Sequence, residues 1–322
     1  MSQHQDSAAH LFQLTSNLRD AVSSVIVGKS EQVRLAVTVL LAGGHLLMED
    51  VPGVGKTVLA KTIARAMDSK ASRIQFTPDM LPSDVTGVAV YDQHTSQFEF
   101  QPGPIFANIV IGDEINRASP KTQSALLECM EERQVSVDGE THRLPDPFTV
   151  VATQNPSEME GTYPLPEAQR DRFMARISMG YPDRAAELSM LESRDRSDPL
   201  TQLAPQVTAA QMREMIAQVQ EIYVAQSIKA YVVELSRATR EHQAVRVGVS
   251  PRASLHLLRA AKAAAAVAGR GYVIPDDVRG LVGPVFGHRL VLGARGRQAS
   301  SYAEAERVLA EIVDHIPAPT GA

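Results

Sequence analysis

Two periodicities of apolar and polar positions alternate along the chain, and where the alternation stops the chain divides. Near the amino end Ala8, Leu11, Leu14, Leu18, Ala21, Val22 and Val25 recur at three- and four-residue spacing, which predicts an amphipathic helix over about Ser7–Val25. A second helix is expected from about Ser30 to Ala42. The short apolar run His45–Met48 then leads into Glu49-Asp-Val-Pro-Gly-Val-Gly-Lys-Thr57 and a helical pattern reaching about Met67, a strand–loop–helix unit. Looser versions recur at Arg73–Phe76, Asn108–Ile111 and Phe148–Ala152, short apolar runs that end in polar residues and are separated by helical patterns. Such alternation predicts a parallel sheet flanked by helices.

Thr86–Phe100 and Gln134–Arg143 interrupt this scheme with strand-like alternation around small turn residues, and each reads as an inserted hairpin. Beyond Tyr181-Pro-Asp183 the strand signals stop. Helical patterns follow around Leu188, Met190 and Leu191, over Met212–Val224 and Ile228–Thr239, and in an alanine-rich stretch from Pro251 to Ala268. The last has Val308, Leu309, Ile312, Val313 and Ile316 on one stripe. The expected organisation is an α/β domain over residues 1–184 followed by a smaller all-α domain over 185–322.

Composition adds exclusions. At 322 residues with 44% apolar content the chain can build a core in each domain. Lys+Arg 32 against Asp+Glu 37 gives a net charge of -5, which counts against nucleic acid or an anionic membrane as partner of the whole surface. The single cysteine, Cys129, excludes an internal disulfide framework and a cysteine-built metal site, and fits a reducing compartment, the cytoplasm by default. No run approaches the roughly 18 apolar residues of a membrane span, and the opening MSQHQDSAAHLFQL has no basic start followed by an apolar core.

The candidate chemistry lies at the ends of the predicted strands. In Pro52, Gly53, Val54, Gly55, Lys56, Thr57 and Val58 the glycines let successive amides and the start of the next helix face a phosphate. Lys56 would meet the terminal phosphates and Thr57 a magnesium ion. The general phosphate-loop pattern starts with a glycine, and here Asp50 replaces it. Asn108-Ile-Val-Ile-Gly-Asp113-Glu114 reads as a buried strand ending in two acids. In an open α/β sheet that end is where ligands bind. Asp113 would hold magnesium and Glu114 would polarise an attacking water. Asn155, after the Phe148–Ala152 run, reaches the same edge; an asparagine there also serves as a plain turn residue.

An arginine that reaches the transferring phosphoryl group can be worth about 10³ to 10⁵ in rate. Candidates are Arg170 and Arg172, before the last strand-like stretch, and Arg252. Ser250 reads as a helix N-cap and Pro251 as the first helical residue, which puts Arg252 in a first turn whose dipole disfavours a cation. A bound phosphate would remove that objection.

With these stretches assembled, and with Phe76-Thr-Pro-Asp-Met-Leu-Pro-Ser-Asp-Val-Thr-Gly87, Asp113-Glu-Ile-Asn-Arg117, Lys121-Thr-Gln-Ser-Ala-Leu-Leu-Glu128, Ala152-Thr-Gln-Asn-Pro156, Asp171-Arg-Phe173 and Ser250-Pro-Arg-Ala253, the sequence resembles the MoxR family of AAA+ ATPases over nearly its whole length. The resemblance implies ATP and Mg2+ as cofactors, Asp113 and Glu114 as the metal-binding and water-activating acids, Asn155 as first sensor and Arg252 as second sensor in a helical lid. It implies that Arg172 is offered to a neighbouring subunit, with Arg117 as a second contact across the interface. It also implies a homo-oligomeric, hexameric ring with nucleotide between domains and between subunits, acting on a client protein. Maturation or metal-cofactor insertion with a von Willebrand factor A domain partner is the implied process. A DNA-associated ring motor shares most of these motifs, and a metabolic kinase shares only the phosphate loop. His288-Arg289 resembles a family lid motif.

Overall fold

The computed structural model describes residues 2–51, 53–155, 161–194, 198–293 and 302–319. Helices α1 (Ser2–Val25) and α2 (Ser30–Leu41) come first. Leu11, Leu18 and Val22 are the buried stripe of α1, spaced so that all three face one side. The α/β part runs β1 (Leu46–Glu49), α3 (Lys56–Ala66), β2 (Ala71–Gln75), α4 (Pro82–Thr86), β3 (Gly87–Asp92), β4 (Gln97–Pro102), β5 (Ile109–Asp113), α5 (Pro120–Glu132), β6 (Gln134–Val137), β7 (Glu140–Arg143), β8 (Thr149–Gln154), α6 (Glu167–Arg170) and β9 (Ala175–Ile177).

The sheet is five-stranded and parallel, in the order β2-β5-β8-β1-β9. Successive side chains of a strand point to opposite faces, so each short apolar run feeds two cores. Leu46, Met48, Ile109, Ile111 and Val151 enter a core built with α1, α2, α3 and the helices of the carboxy-terminal part. Leu47, Val110, Val150 and Ala152 enter another core with Phe76, Leu126, Leu127, Phe148 and Phe173.

The two predicted hairpins are β3–β4 and β6–β7. Tyr91 and Phe98 pair edge-to-face across the first, at 50% and 72% exposure, and Phe100 stacks on His142 of the second with ring centroids 3.9 Å apart. That stack brings the two inserts into contact.

After β9 the chain is mostly helical, running α7 (Arg184–Arg194), α8 (Pro199–Gln202), α9 (Ala209–Gln220), α10 (Gln226–Glu241), β10 (Val245–Val247), α11 (Pro251–Val267), α12 (Pro275–Phe286), β11 (Val291–Leu292) and α13 (Tyr302–His315), and ends in a helical lid. The antiparallel β10–β11 pair adds a small ladder to the helical lid; strands this short carry too few residues to display a period-two pattern. Helix α11, whose alanines are all buried, packs against α2, so the lid docks behind the first helices of the core. Among the described residues no helix is long and apolar enough to cross a membrane.

Candidate functional site

Gly53 and Gly55 take the left-handed conformation, with φ of 85° and 90°. A Cβ at either would meet nothing within 4 Å, so conformation rather than space calls for glycine there. Gly55 caps α3, leaving the first amides of that helix, at Lys56, Thr57 and Val58, without intrahelical carbonyl partners, as an anion site requires. Lys56 Nζ donates to the carbonyl of Asp50 at 2.7 Å and to that of Gln154 at 3.4 Å, across the mouth of the loop. Val54 and Val58 pack against the core beneath it. Pro52 lies outside the described residues.

Asp50, the departure from the glycine pattern, has a structural task. Its carboxylate accepts hydrogen bonds from Val51 N–H at 2.9 Å, Ser178 Oγ at 3.0 Å and Gly180 N–H at 2.6 Å. Burial raises its pKa, but the hydrogen bonds from Gly180, Val51 and Ser178 together outweigh burial and hold it below the usual carboxylate range. The start of the phosphate loop is thereby fastened to the segment that leads into the lid. A second fastening lies beside it: Glu49 pairs with Arg176, whose guanidinium lies 3.4 Å from the ring centroid of Tyr302 on α13.

The two acids emerge at the carboxyl end of β5. Asp113 is 6% exposed and faces Thr57 Oγ1 at 3.3 Å. Thr153 Oγ1 donates to Asp113 at 3.3 Å and accepts the Glu114 N–H at 3.0 Å, and Arg73 Nε donates to Asp113 at 2.7 Å. Glu114 adopts φ 56°, a conformation that side-chain-bearing residues rarely hold outside constrained sites. Its carboxylate accepts from Gln75 Nε2 at 3.1 Å and from Arg117 at 3.0 Å. Asn155, buried at 4% exposure, follows the neighbouring strand β8 on the same edge.

The donors Thr57 and Asp113 suit a magnesium ion. That cation takes one or two protein oxygens and completes its octahedron with phosphate and water. Among the described residues no group of three or more His, Cys, Asp or Glu could hold a metal without such help.

The arginines separate into two places. Arg117 stays at the carboxyl edge on Glu114 of its own chain. Arg172 follows α6, which ends at Arg170, and lies at the opposite edge: β9 begins at Ala175 opposite Leu46, and Met174 N–H donates to the His45 carbonyl at 2.8 Å. There Arg172 donates to the Leu127 carbonyl and approaches Glu131 at 3.6 Å. Arg252 follows the Ser250 N-cap and Pro251 as predicted, and it pairs with the other oxygen of Glu131. Arg172, Arg252, Arg133 and Arg259 line a recess of about 270 Å³ with Gly43 and Gly44 at this amino edge.

Arg172 and Arg252 thus stand apart from the phosphate loop of their own chain. Four residues of β1, about 13 Å of strand, separate the amino-edge recess from the phosphate loop. The lid docks through α11 on α2, which carries the first turn of α11 to the amino edge.

The sequence reading gave no role to Asp171 or Glu131 and left Arg289 as a lid motif. Arg289, with a side chain 3% exposed, donates from Nε to Asp171 Oδ1 at 2.7 Å. Its other nitrogens reach the carbonyls of Asp171, Phe173 and Met174 at 3.0, 2.6 and 3.2 Å. Ser250 Oγ donates to Asp171 Oδ2 at 2.8 Å. His288 Nε2 meets the Phe173 carbonyl at 3.1 Å, and burial holds that imidazole well below its ordinary pKa, so it donates from a neutral ring. The available signals were an acid directly before Arg172 and adjacent cations at the end of an apolar helix; neither names its partner.

A parallel sheet in this order, an acid pair at the end of its central region, a glycine-bearing loop after β1 and a helical lid define an AAA+ ATPase fold. Residues 45–175 match the ATPase family associated with various cellular activities (AAA), and residues 237–312 match the AAA lid domain. The chain is 49% identical to the protein YeaC of Bacillus subtilis, over 92% of each. It is 44% identical to Chaperone MoxR1 of Mycobacterium tuberculosis, over 84% of this chain and 74% of that protein. Protein MoxR of Paracoccus denitrificans is 31% identical, over 84% and 87%. A crystal structure described as that of an ATPase from Cytophaga hutchinsonii superposes with a TM-score of 0.90 at 36% identity, covering 99% of each chain. The chain belongs to the MoxR family of AAA+ ATPases.

Proposed function

We propose that this MoxR-type AAA+ chaperone hydrolyses ATP as a ring, hexameric in the simplest closed form, in which each subunit lends Arg172 and Arg252 to the nucleotide of its neighbour. One observation carries the reading: the phosphate loop and acids lie at one edge of the sheet, while both arginines lie at the other. Arginines set at the edge away from their own phosphate loop are placed to act on another subunit's nucleotide.

At the carboxyl edge, the loop amides, Lys56 and the α3 N-terminus bind the phosphates. Thr57 and Asp113 would hold magnesium, which when bound would supply positive charge to the phosphates. Glu114 orients the attacking water and accepts its proton, and Asn155 fixes the water's position. Arg117 and Gln75 hold the Glu114 carboxylate and thereby set when it faces that water. The links from Asp50 to Ser178 and Gly180, and from Glu49 through Arg176 to Tyr302, carry a change at the phosphate loop into the lid. The exposed Tyr91–Phe98 pair offers a client an aromatic grip. Client maturation, including metal or cofactor insertion with a von Willebrand factor A domain partner, is the process the family membership favours.

The test is ATP turnover across a protein concentration series with mass measured by light scattering, for the wild type, Glu114→Gln and Arg172→Ala. Turnover per subunit should rise with assembly, and both variants should lose it while Glu114→Gln still binds ATP. A dilute monomer as active as the assembled protein, with Arg172→Ala unimpaired, would overturn the reading.

A further inference from the structure

We infer that Asp171 and Arg289 are positioning residues for Arg172, through which the lid of one subunit sets the aim of the arginine it presents to the next. The inference rests on the reading that Arg172 acts in trans. Asp171 is the residue immediately before Arg172, and both of its oxygens are held by the lid, one by Arg289 and one by Ser250. Arg289 then takes the carbonyls of Asp171, Phe173 and Met174, so the backbone on both sides of Arg172 is bonded to a single guanidinium.

A surface arginine needs no such collar. Arg289 is almost wholly buried, and burial is the main influence pulling its pKa down to about 10; the Asp171 carboxylate offsets part of that cost. Burying a cation to hold Asp171, Phe173 and Met174 is costly, and the segment it holds is the one that carries Arg172. Ser250 closes the circuit: it caps α11, so the carboxylate that fixes Arg172 is also bonded to the helix start that bears Arg252. Through Asp171 and Ser250 the segment that carries Arg172 is therefore joined to the helix start that carries Arg252. A lid displaced by its own subunit's phosphate loop re-aims the pair at the neighbouring nucleotide, which passes the state of one site to the next without a contact between the two nucleotides.

Subunit mixing separates this role from a general loss of structure. Asp171→Asn keeps the shape but weakens both bonds; assembled alone, it should lose about tenfold or more in turnover, the scale on which small misplacements of a catalytic group act. Nucleotide binding to the dilute variant should match wild type, because Asp171 lies at the edge away from its own phosphate loop. Mixed with an equal amount of Glu114→Gln, which has an intact Arg172 but a silent site, turnover per Asp171→Asn subunit should recover severalfold. Arg172→Ala mixed with Glu114→Gln is the reference. If the reference mixture recovers and the Asp171→Asn mixture does not, or if Asp171→Asn alone is fully active, the positioning role is wrong. If the reference mixture itself stays silent, the trans reading falls and the inference with it. Arg289→Lys, which retains the charge but not the fork, should behave as Asp171→Asn does; recovery by the Asp171→Asn mixture decides the case should Arg289→Lys not fold.

Discussion

Arg172, just ahead of the last strand of the sheet, and Arg252, in the first turn of a lid helix, reach the two oxygens of one carboxylate, that of Glu131. A single anion already satisfies both guanidinium groups, so their spacing suits a group such as a terminal phosphate. Both stand at the edge of the sheet away from Lys56.

Because they would act on one transferring group, their removal should not be additive. Arg172→Ala is expected to lower assembled turnover by about 10³, the lower end of what a trans-acting arginine contributes. Adding Arg252→Ala should cost far less than the product of the two single effects. A double-mutant cycle on ATPase rates measures this. Weaker nucleotide binding by a dilute Arg252→Ala monomer would instead return Arg252 to its own nucleotide.

Asp50 ties the phosphate loop to the entry of the lid, so restoring the glycine of the general pattern should harm this protein. Asp50→Gly loses three hydrogen bonds and frees a backbone position, and it should lower the melting temperature by several degrees and weaken ATP binding. Asp50→Asn should lie between. Thermal melts with and without nucleotide give both quantities, and a neutral Asp50→Gly would show that the fastening does nothing.

Arg73 places a positive charge 2.7 Å from the proposed magnesium ligand Asp113. A second cation must share or displace that charge. Arg73→Gln should therefore lower the magnesium concentration needed for half-maximal binding of a fluorescent nucleotide, by severalfold. A rise would mean that Arg73 orients Asp113 for the metal rather than competing with it.

His45, wholly buried at the start of β1, has its pKa lowered to about 4, by burial first and then by Arg133 and Arg259, against the opposing pull of the Met130 carbonyl. Its Nδ1 accepts the Val150 N–H at 3.0 Å, so the neutral ring carries its proton on Nε2, facing Met130 O at 3.1 Å. The folded ring stays neutral while the unfolded one protonates at its ordinary value of 6.5. The unfolded state thus binds more protons as pH falls from about 6.5 to about 4, and stability is lost across that window at roughly 1 kcal/mol per pH unit for this residue. His45→Gln, which can keep both hydrogen bonds, should flatten the dependence of melting temperature on pH in that range. An unchanged slope would assign the acid sensitivity to His256 and His288, whose pKa values burial also lowers.

Much of the fold and the carboxyl-edge site was legible in the sequence, because the signals are local. Gly53 and Gly55 announce a backbone conformation at their own positions, and Asp113-Glu114 announce a strand end because five buried residues precede or include it. The Ser250 cap was readable for the same reason, since its partner Ala253 is three residues away. Helix α7 begins at Arg184, where the strand periodicity ends in the sequence, because the loss of that periodicity is also a local signal.

Tertiary structure alone decided where these pieces face. Ser250 has a second bond to Asp171, Arg289 grips a loop more than a hundred residues earlier, and Arg252 reaches Glu131. Such pairings depend on strand order and on the docking of α11 against α2, which many weak apolar contacts fix together. No short window of sequence contains them. The sequence by itself determined the chemistry of each segment; packing determined that Asp113 and Glu114 stand at one edge of the sheet and Arg172 and Arg252 at the other.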